Sequence, residues 1–197
     1  MPPDLETKKK PGIFDVITGR SKLKGPAPDR LFALSTAYVT LESEHEIRTS
    51  GVAAIVFQPL ATSDFEQILK ETEAVVKATG SEVGATVETR DDDFGYRWVV
   101  LHDDGSTENL VVGINAVSSA LESAGYGERL LCAVFAFKDS RSQPIYFIYN
   151  YKRGFWYPFV PAPGDKQRST ERELQLKAQI GNELPVGERP RRSSAIF

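Results

Sequence analysis

The sequence predicts an α+β domain: one antiparallel sheet built from hairpins, helices packed on it, and disordered tails at both ends. Three observations lead there. Two pairs of apolar, β-branched runs are each joined by a turn cluster, which is the pattern of a hairpin. They are Ala85 to Arg90 with Tyr96 to His102, and Leu130 to Phe137 with Ile145 to Tyr151. Between the pairs, Leu110, Ile114, Val117 and Leu121 repeat at i, i+4, i+7 and i+11, the stripe of a helix with one buried face. Finally, eight of the chain's 20 aromatics lie between Tyr146 and Phe159, so the core or the main binding face must involve that stretch.

In chain order, residues 1–27 read as a basic tail. Lys8, Lys9, Lys10, Lys22 and Lys24 charge it, and its four prolines, with Pro28 just beyond, oppose regular structure. Within it, Ile13, Phe14, Val16 and Ile17 form a short amphipathic segment (12–20). It reads either as a contact to an anionic membrane surface or as a terminal peg. The domain proper is expected over 28–184, with a second tail over 185–197. Asp29 is suited to cap a helix to about Thr36. Tyr38 to Leu41 and Val52 to Phe57 read as strands around a charged loop, Glu42 to Glu46. Ser63-Asp64-Phe65-Glu66 is a capping box, and Phe65, Ile68, Leu69, Val75 and Val76 continue at helical spacing toward Gly80. The central helix is expected over Asn109 to Ala124, closed by Gly125-Tyr126-Gly127. Leu130 to Phe137 is apolar on both alternating faces, so this strand is expected to be covered on both sides. Lys152-Arg153-Gly154 turns the chain into Phe155 to Phe159. Thr170-Glu171-Arg172-Glu173 opens a last helix, which ends at Gly181.

Composition removes several function classes. A net charge of −3 argues against nucleic acid as a partner, because phosphate binding wants a basic domain. One cysteine, Cys132, rules out an internal disulfide and fits a reducing cytoplasm. No apolar run reaches the ~18 residues of a membrane span, so the expected setting is cytoplasmic or peripheral at the inner membrane.

Catalytic and metal constellations find little support. Cys132 sits in an apolar run, where a free thiol behaves as a small hydrophobe. His102 beside Asp103 has the makings of an oriented base, but the sequence sets no nucleophile beside it. His45 lies among glutamates with no second histidine or cysteine near it. Asp91-Asp92-Asp93 fails the calcium-loop pattern, since the twelfth position is His102. It reads as turn chemistry, with a functional acidic rim as the other reading. No catalytic residue, metal or cofactor is expected. The better candidate is a surface. Lys152 and Arg153 stand beside Phe155, Trp156 and Tyr157, and an exposed aromatic with arginine nearby is the composition of an interface hot spot. The other reading places all three aromatics in the core.

The assembled stretches resemble the PspAB family of PspA-associated proteins. They include Ile13-Phe14-Asp15, Thr49-Ser50-Gly51-Val52, Asp93-Phe94-Gly95-Tyr96, Asn115 to Glu122, Gly125-Tyr126-Gly127, Tyr151-Lys152-Arg153-Gly154 and Tyr157 to Pro161. The resemblance implies a non-enzymatic accessory of the PspA envelope-stress system, partnered with a PspA-type coiled coil. It supplies no catalytic residues. The order of elements from Ser63 to Gly181 also resembles the type III secretion chaperone-like fold of YbjN proteins, which implies a peptide- or protein-binding module as the alternative.

Overall fold

The computed structural model describes residues 28–81, 86–103, 106–164 and 167–187. The order of elements is α1 (Pro28–His45), β1 (Arg48–Phe57), α2 (Ser63–Ser81), β2 (Thr86–Asp91), β3 (Arg97–His102), α3 (Thr107–Ser123), β4 (Leu130–Lys138), β5 (Pro144–Asn150), β6 (Phe155–Phe159) and α4 (Thr170–Ile180). The six strands form one sheet in the order β2-β3-β1-β4-β5-β6, and every neighbouring pair is antiparallel. The predicted α+β architecture is therefore the observed one. β1 is the middle of it, with the β2–β3 hairpin on one side and the β4–β5–β6 meander on the other.

Among the described residues the helices share one face of the sheet. Their inward residues join Ala53, Ile55 and Phe57 of β1, Val99 and Leu101 of β3, and Phe135, Phe137, Phe147, Tyr149 and Trp156 of the meander in one core. α3 crosses the centre with Leu110, Ile114, Val117 and Leu121 at 2% exposure or less, as its periodicity predicts. Ser106 caps its start by accepting from the Asn109 N–H at 3.2 Å. Its end is a Schellman turn. Gly125 takes φ 85°, the Tyr126 N–H donates to the Leu121 carbonyl at 2.7 Å, and the Gly125 N–H donates to that of Glu122 at 3.0 Å.

The expected strand Tyr38 to Leu41 is helix instead. α1 runs unbroken to His45, and Glu42 to His45 form its last turn rather than a loop. The β-branched and aromatic run Tyr38-Val39-Thr40 has strand propensity, but Leu31, Leu34, Ala37 and Leu41 are all 2% exposed or less. They repeat at three- and four-residue spacing, so burying one stripe along a single helix outweighs local preference. Val39 is left pointing to solvent at 62% exposure. The chain turns out of α1 at Glu46, with φ 53°.

Two further details depart from the sequence reading. The cap of α4 is Ser169, whose hydroxyl accepts from the Arg172 N–H, rather than Thr170. That frees Glu173, which is buried, to accept from the Val160 N–H at 3.2 Å and to lie 3.6 Å from Arg168. The chain also stays with the domain beyond Leu184. The Trp156 N–H donates to the Pro185 carbonyl and the Gly187 N–H to the Trp156 carbonyl, both at 2.9 Å, so Pro185 to Gly187 line the outer edge of β6. Covering an edge in this way removes a template for unwanted strand pairing.

Four buried hydroxyls among the described residues lack a hydrogen-bond partner, those of Ser35, Thr107, Tyr149 and Tyr151. The Tyr149 hydroxyl is buried with no hydrogen-bond partner, while its ring packs on Tyr151 and Trp156 at 5.1 and 5.2 Å. Burial also pushes its ionisation up to about 12. Tyr149→Phe keeps the ring and removes the unpaired hydroxyl, so it is expected to stabilise the fold by about 1 kcal/mol. A shift of the urea midpoint to higher concentration at constant slope checks this.

Candidate interaction surface

The turn between β5 and β6 is built by Asn150 and Gly154. The Asn150 side chain accepts from the Arg153 N–H at 3.0 Å, and its carbonyl accepts from the Gly154 N–H at 2.8 Å. Gly154 takes φ 66°, a conformation that a Cβ would strain. The turn thrusts Lys152 and Arg153 into solvent. The Arg153 guanidinium lies 6.0 Å from the centre of the Phe155 ring, at the outer limit of a cation–π contact, and Phe155 is half-buried.

Trp156 and Tyr157 are not at the surface. Along β6 the side chains alternate, so Trp156 points under the helices and Phe155 and Tyr157 point to the other face. Trp156 is fully buried, its ring 5.6 Å from that of Phe135, and its Nε1 donates to the Arg30 carbonyl at 2.8 Å. Arg30 in turn donates to the Gly154 carbonyl at 2.9 Å. Tyr157 faces away from the helices, as alternation requires, yet is only 2% exposed. Of the five partner-contact residues read from the sequence, Lys152, Arg153 and Phe155 are therefore accessible, and Trp156 and Tyr157 are structural. The membrane-contact residues Ile13, Phe14, Val16 and Ile17 lie outside the described residues.

The acidic and histidine clusters serve the fold. Asp92 accepts from the Phe94 and Tyr96 N–H groups and from Trp98 Nε1, each at 2.9 Å. Arg97 ties Asp91 to Glu66 of α2 at 2.7 and 2.6 Å. The turn reading of the three aspartates thus accounts for two of them, and Asp93 is exposed. Asp103 does not orient His102. Its carboxylate accepts from the Ser106 N–H at 2.9 Å and from Asn109 Nδ2 at 3.1 Å, at the entry to α3. His102 instead lies 3.4 Å from Glu88. Burial pushes the Cys132 thiol up to about 12, which keeps it a protonated hydrophobe. Among the described residues no cluster of three or more His, Cys, Asp or Glu is arranged to hold a metal ion. A cleft of about 310 Å³ at the far end of β1 and β4 is lined by Glu46, Arg48, Lys138, Asp139, Ser140 and Ser142. It lacks the apolar walls of a small-molecule site.

A second apolar cluster lies on the other side of β4, the strand expected from its sequence to be covered on both faces. Val56, Cys132, Val134, Ile148, Tyr157 and Phe159 gather on the face of the sheet opposite the helices, with Tyr96, Trp98, Leu131 and Tyr146 around them. The signal for it was the doubly apolar β4.

A family model matches residues 11–193, nearly the whole chain; its description is PspAB, PspA associated protein B. The chain belongs to the PspAB family. Comparison with curated proteins and with solved structures returned no match. The family match runs through α1 to α4, so it takes in the complete sheet, the cationic β5–β6 turn and both aromatic clusters. Among the described residues no helix is long and apolar enough to cross a membrane.

Proposed function

We propose that this protein is a non-enzymatic accessory of the PspA envelope-stress system that works by binding a PspA-type coiled coil near the inner face of the membrane. The observation that carries this reading is the family match over residues 11–193. The β5–β6 turn is the contact we favour, because Lys152 and Arg153 are exposed beside the half-buried Phe155 on a rigid turn. A module that grips peptides would want an open groove between α3 and the sheet. Ile114, Val117 and Leu121 there are 1% exposed or less, which favours recognition by outer surfaces instead.

Light scattering after size exclusion tests the reading, on the protein alone and mixed with the PspA protein of the same genome. A defined larger complex is expected. Lys152→Glu with Arg153→Glu is expected to weaken it at least ~10-fold, since charge reversal at a contact costs more than ~1.4 kcal/mol. Both residues are exposed, so the melting temperature should hardly move. Elution as separate components, with and without lipid, would overturn the accessory reading and put the peptide-binding module in its place.

A further inference from the structure

On the outer surface of α1, α2 and α3, three valines point to solvent: Val39 at 62% exposure, Val75 at 61% and Val112 at 49%. A lone exposed valine is ordinary. These three stand together. α3 packs between α1 and α2. A Cβ on Gly113 would collide with Leu101 of β3 and lie 3.8 Å from Val76, so α2 and α3 pass closely there, with Val75 and Val112 beside the crossing. The Tyr38 ring lies 6.4 Å from that of Phe137. Phe137 is two residues along β4 from Phe135, which register sets level with Ala53 and Leu101. Val39 is therefore within about 7 Å of the same level, little more than one helical turn. The valines form a strip across the helical layer, and the half-buried Ala116 widens it one turn along α3 from Val112.

We infer that this strip is the docking surface for a cationic amphipathic helix of a partner protein, laid across α3 from α1 to α2. Charge selects that partner. Each valine has a glutamate one turn away on its own helix: Glu42 for Val39, Glu71 for Val75 and Glu108 for Val112. Gln67, a neutral donor, bonds Glu71 at 2.8 Å and leaves its charge standing. Glu42 lies 3.6 Å from Arg48, an exposed pair of the kind that gains little. The lysines and arginines of these three helices are Arg30, Lys70 and Lys77. Arg30 is held at the Gly154 carbonyl. Lys70 and Lys77 lie about 140° and 160° around α2 from Val75, on its other side. The strip thus presents apolar groups bordered by carboxylates, which an apolar helix face bordered by lysine or arginine complements. A second copy of this face would set glutamates against glutamates. Length agrees. Neighbouring helix axes lie about 8–10 Å apart, so α1 to α2 spans about 18 Å, the rise of about twelve helical residues. The surface is distinct from the β5–β6 turn, and its use does not depend on the PspA reading.

A synthetic peptide of about 18 leucines and lysines, with the leucines at i, i+3, i+4 and i+7 spacing, is the probe, and a leucine–glutamate peptide of the same pattern is its control. Fluorescence anisotropy should show the lysine peptide binding the full chain and the glutamate peptide not. In methyl NMR spectra the lysine peptide should move the resonances of Val39, Val75 and Val112 and spare that of Val117 beneath. Val39→Gln with Val112→Gln should weaken binding ~10-fold or more by removing apolar contact. Both positions are exposed and glutamine suits a helix better than valine, so the melting temperature should hardly fall. Glu71→Gln with Glu108→Gln should also weaken binding and flatten its dependence on salt. No binding by the lysine peptide, equal binding of both peptides, or undiminished binding by the valine variant would each overturn the proposal. So would shifts gathered at Asp93 and Phe94, which would place the peptide on the acidic β2–β3 turn. Valine resonances that move on dilution of the protein alone, with a dimer in light scattering, would overturn it by assigning the strip to a second copy. Should a variant fail to fold, the map of shifts on the native protein decides.

Discussion

Trp156→Ala is expected to lower the stability of the fold by about 3–5 kcal/mol, the cost of truncating a fully buried large aromatic. That is a large part of the 5–15 kcal/mol that holds a typical domain together. Three losses combine. The cavity would open between Phe135 and Tyr149, whose rings lie 5.6 and 5.2 Å away. The Arg30 carbonyl would lose the indole N–H that it accepts at 2.8 Å. The start of α1 would then lose one of its two ties to the β5–β6 region, leaving the Arg30 bond to the Gly154 carbonyl. Trp156→Phe separates the terms, since it keeps part of the volume and loses the hydrogen bond. It should cost about 1–3 kcal/mol. Urea denaturation of the three proteins measures both. A loss below ~1 kcal/mol for the alanine variant would mean that Trp156 is not in the core. The consequence for function is direct: lost partner binding in a Trp156 variant would report unfolding, so the contact must be tested at Lys152, Arg153 and Phe155.

Asp92→Ala should cost about 2–3 kcal/mol, because one carboxylate organises the β2–β3 turn through charge-assisted hydrogen bonds. It accepts from two backbone N–H groups and from the half-buried Trp98 indole. Gly95, at φ 79°, completes the turn, and the Asp92 N–H donates to the Tyr96 carbonyl at 2.9 Å. Asp92→Asn keeps one accepting oxygen for the two backbone donors and presents an amide N–H to Trp98, so it should fall between the two. The pH dependence has a definite sign. Burial raises the Asp92 carboxyl, and the bonds from Trp98, Tyr96 and Phe94 outweigh it, so its folded value lies below the usual carboxylate range. A carboxyl depressed in the folded state stabilises above its unfolded value of about 3.9, and the contribution is lost as pH falls through the folded value. The stability gap between the native protein and Asp92→Ala should therefore be constant from pH 5 to 8 and narrow below about pH 4. A gap that persisted at pH 2 would show that the carboxylate's charge is not what holds the turn.

The two kinds of error in the sequence reading have different physical origins. Tyr38 to Leu41 was misjudged because a strand propensity of a few residues is worth less than a buried stripe, and the stripe extends from Leu31 to Leu41 only if α1 is continuous. Trp156 and Tyr157 were misjudged because alternation says that two neighbours face opposite ways, not what covers each face. The Ser169 cap and the role of Glu173 depend on where β6 passes α4, a contact between residues 13 apart in sequence that no local pattern records.

By itself the sequence determined the class of fold, the two hairpins, the central helix with its glycine stop, the family, and the absence of a long apolar span. Each of these rests on local information: periodicity, turn residues, or ordered short motifs. Only the tertiary structure decided that the strands join in the order β2-β3-β1-β4-β5-β6, that among the described residues the helices gather on one face, and which residues make up the buried cluster on the other. It also decided that the densest aromatic stretch is core and that its cationic turn is surface. Those outcomes follow from which distant segments exclude water from one another, and that depends on the whole chain at once.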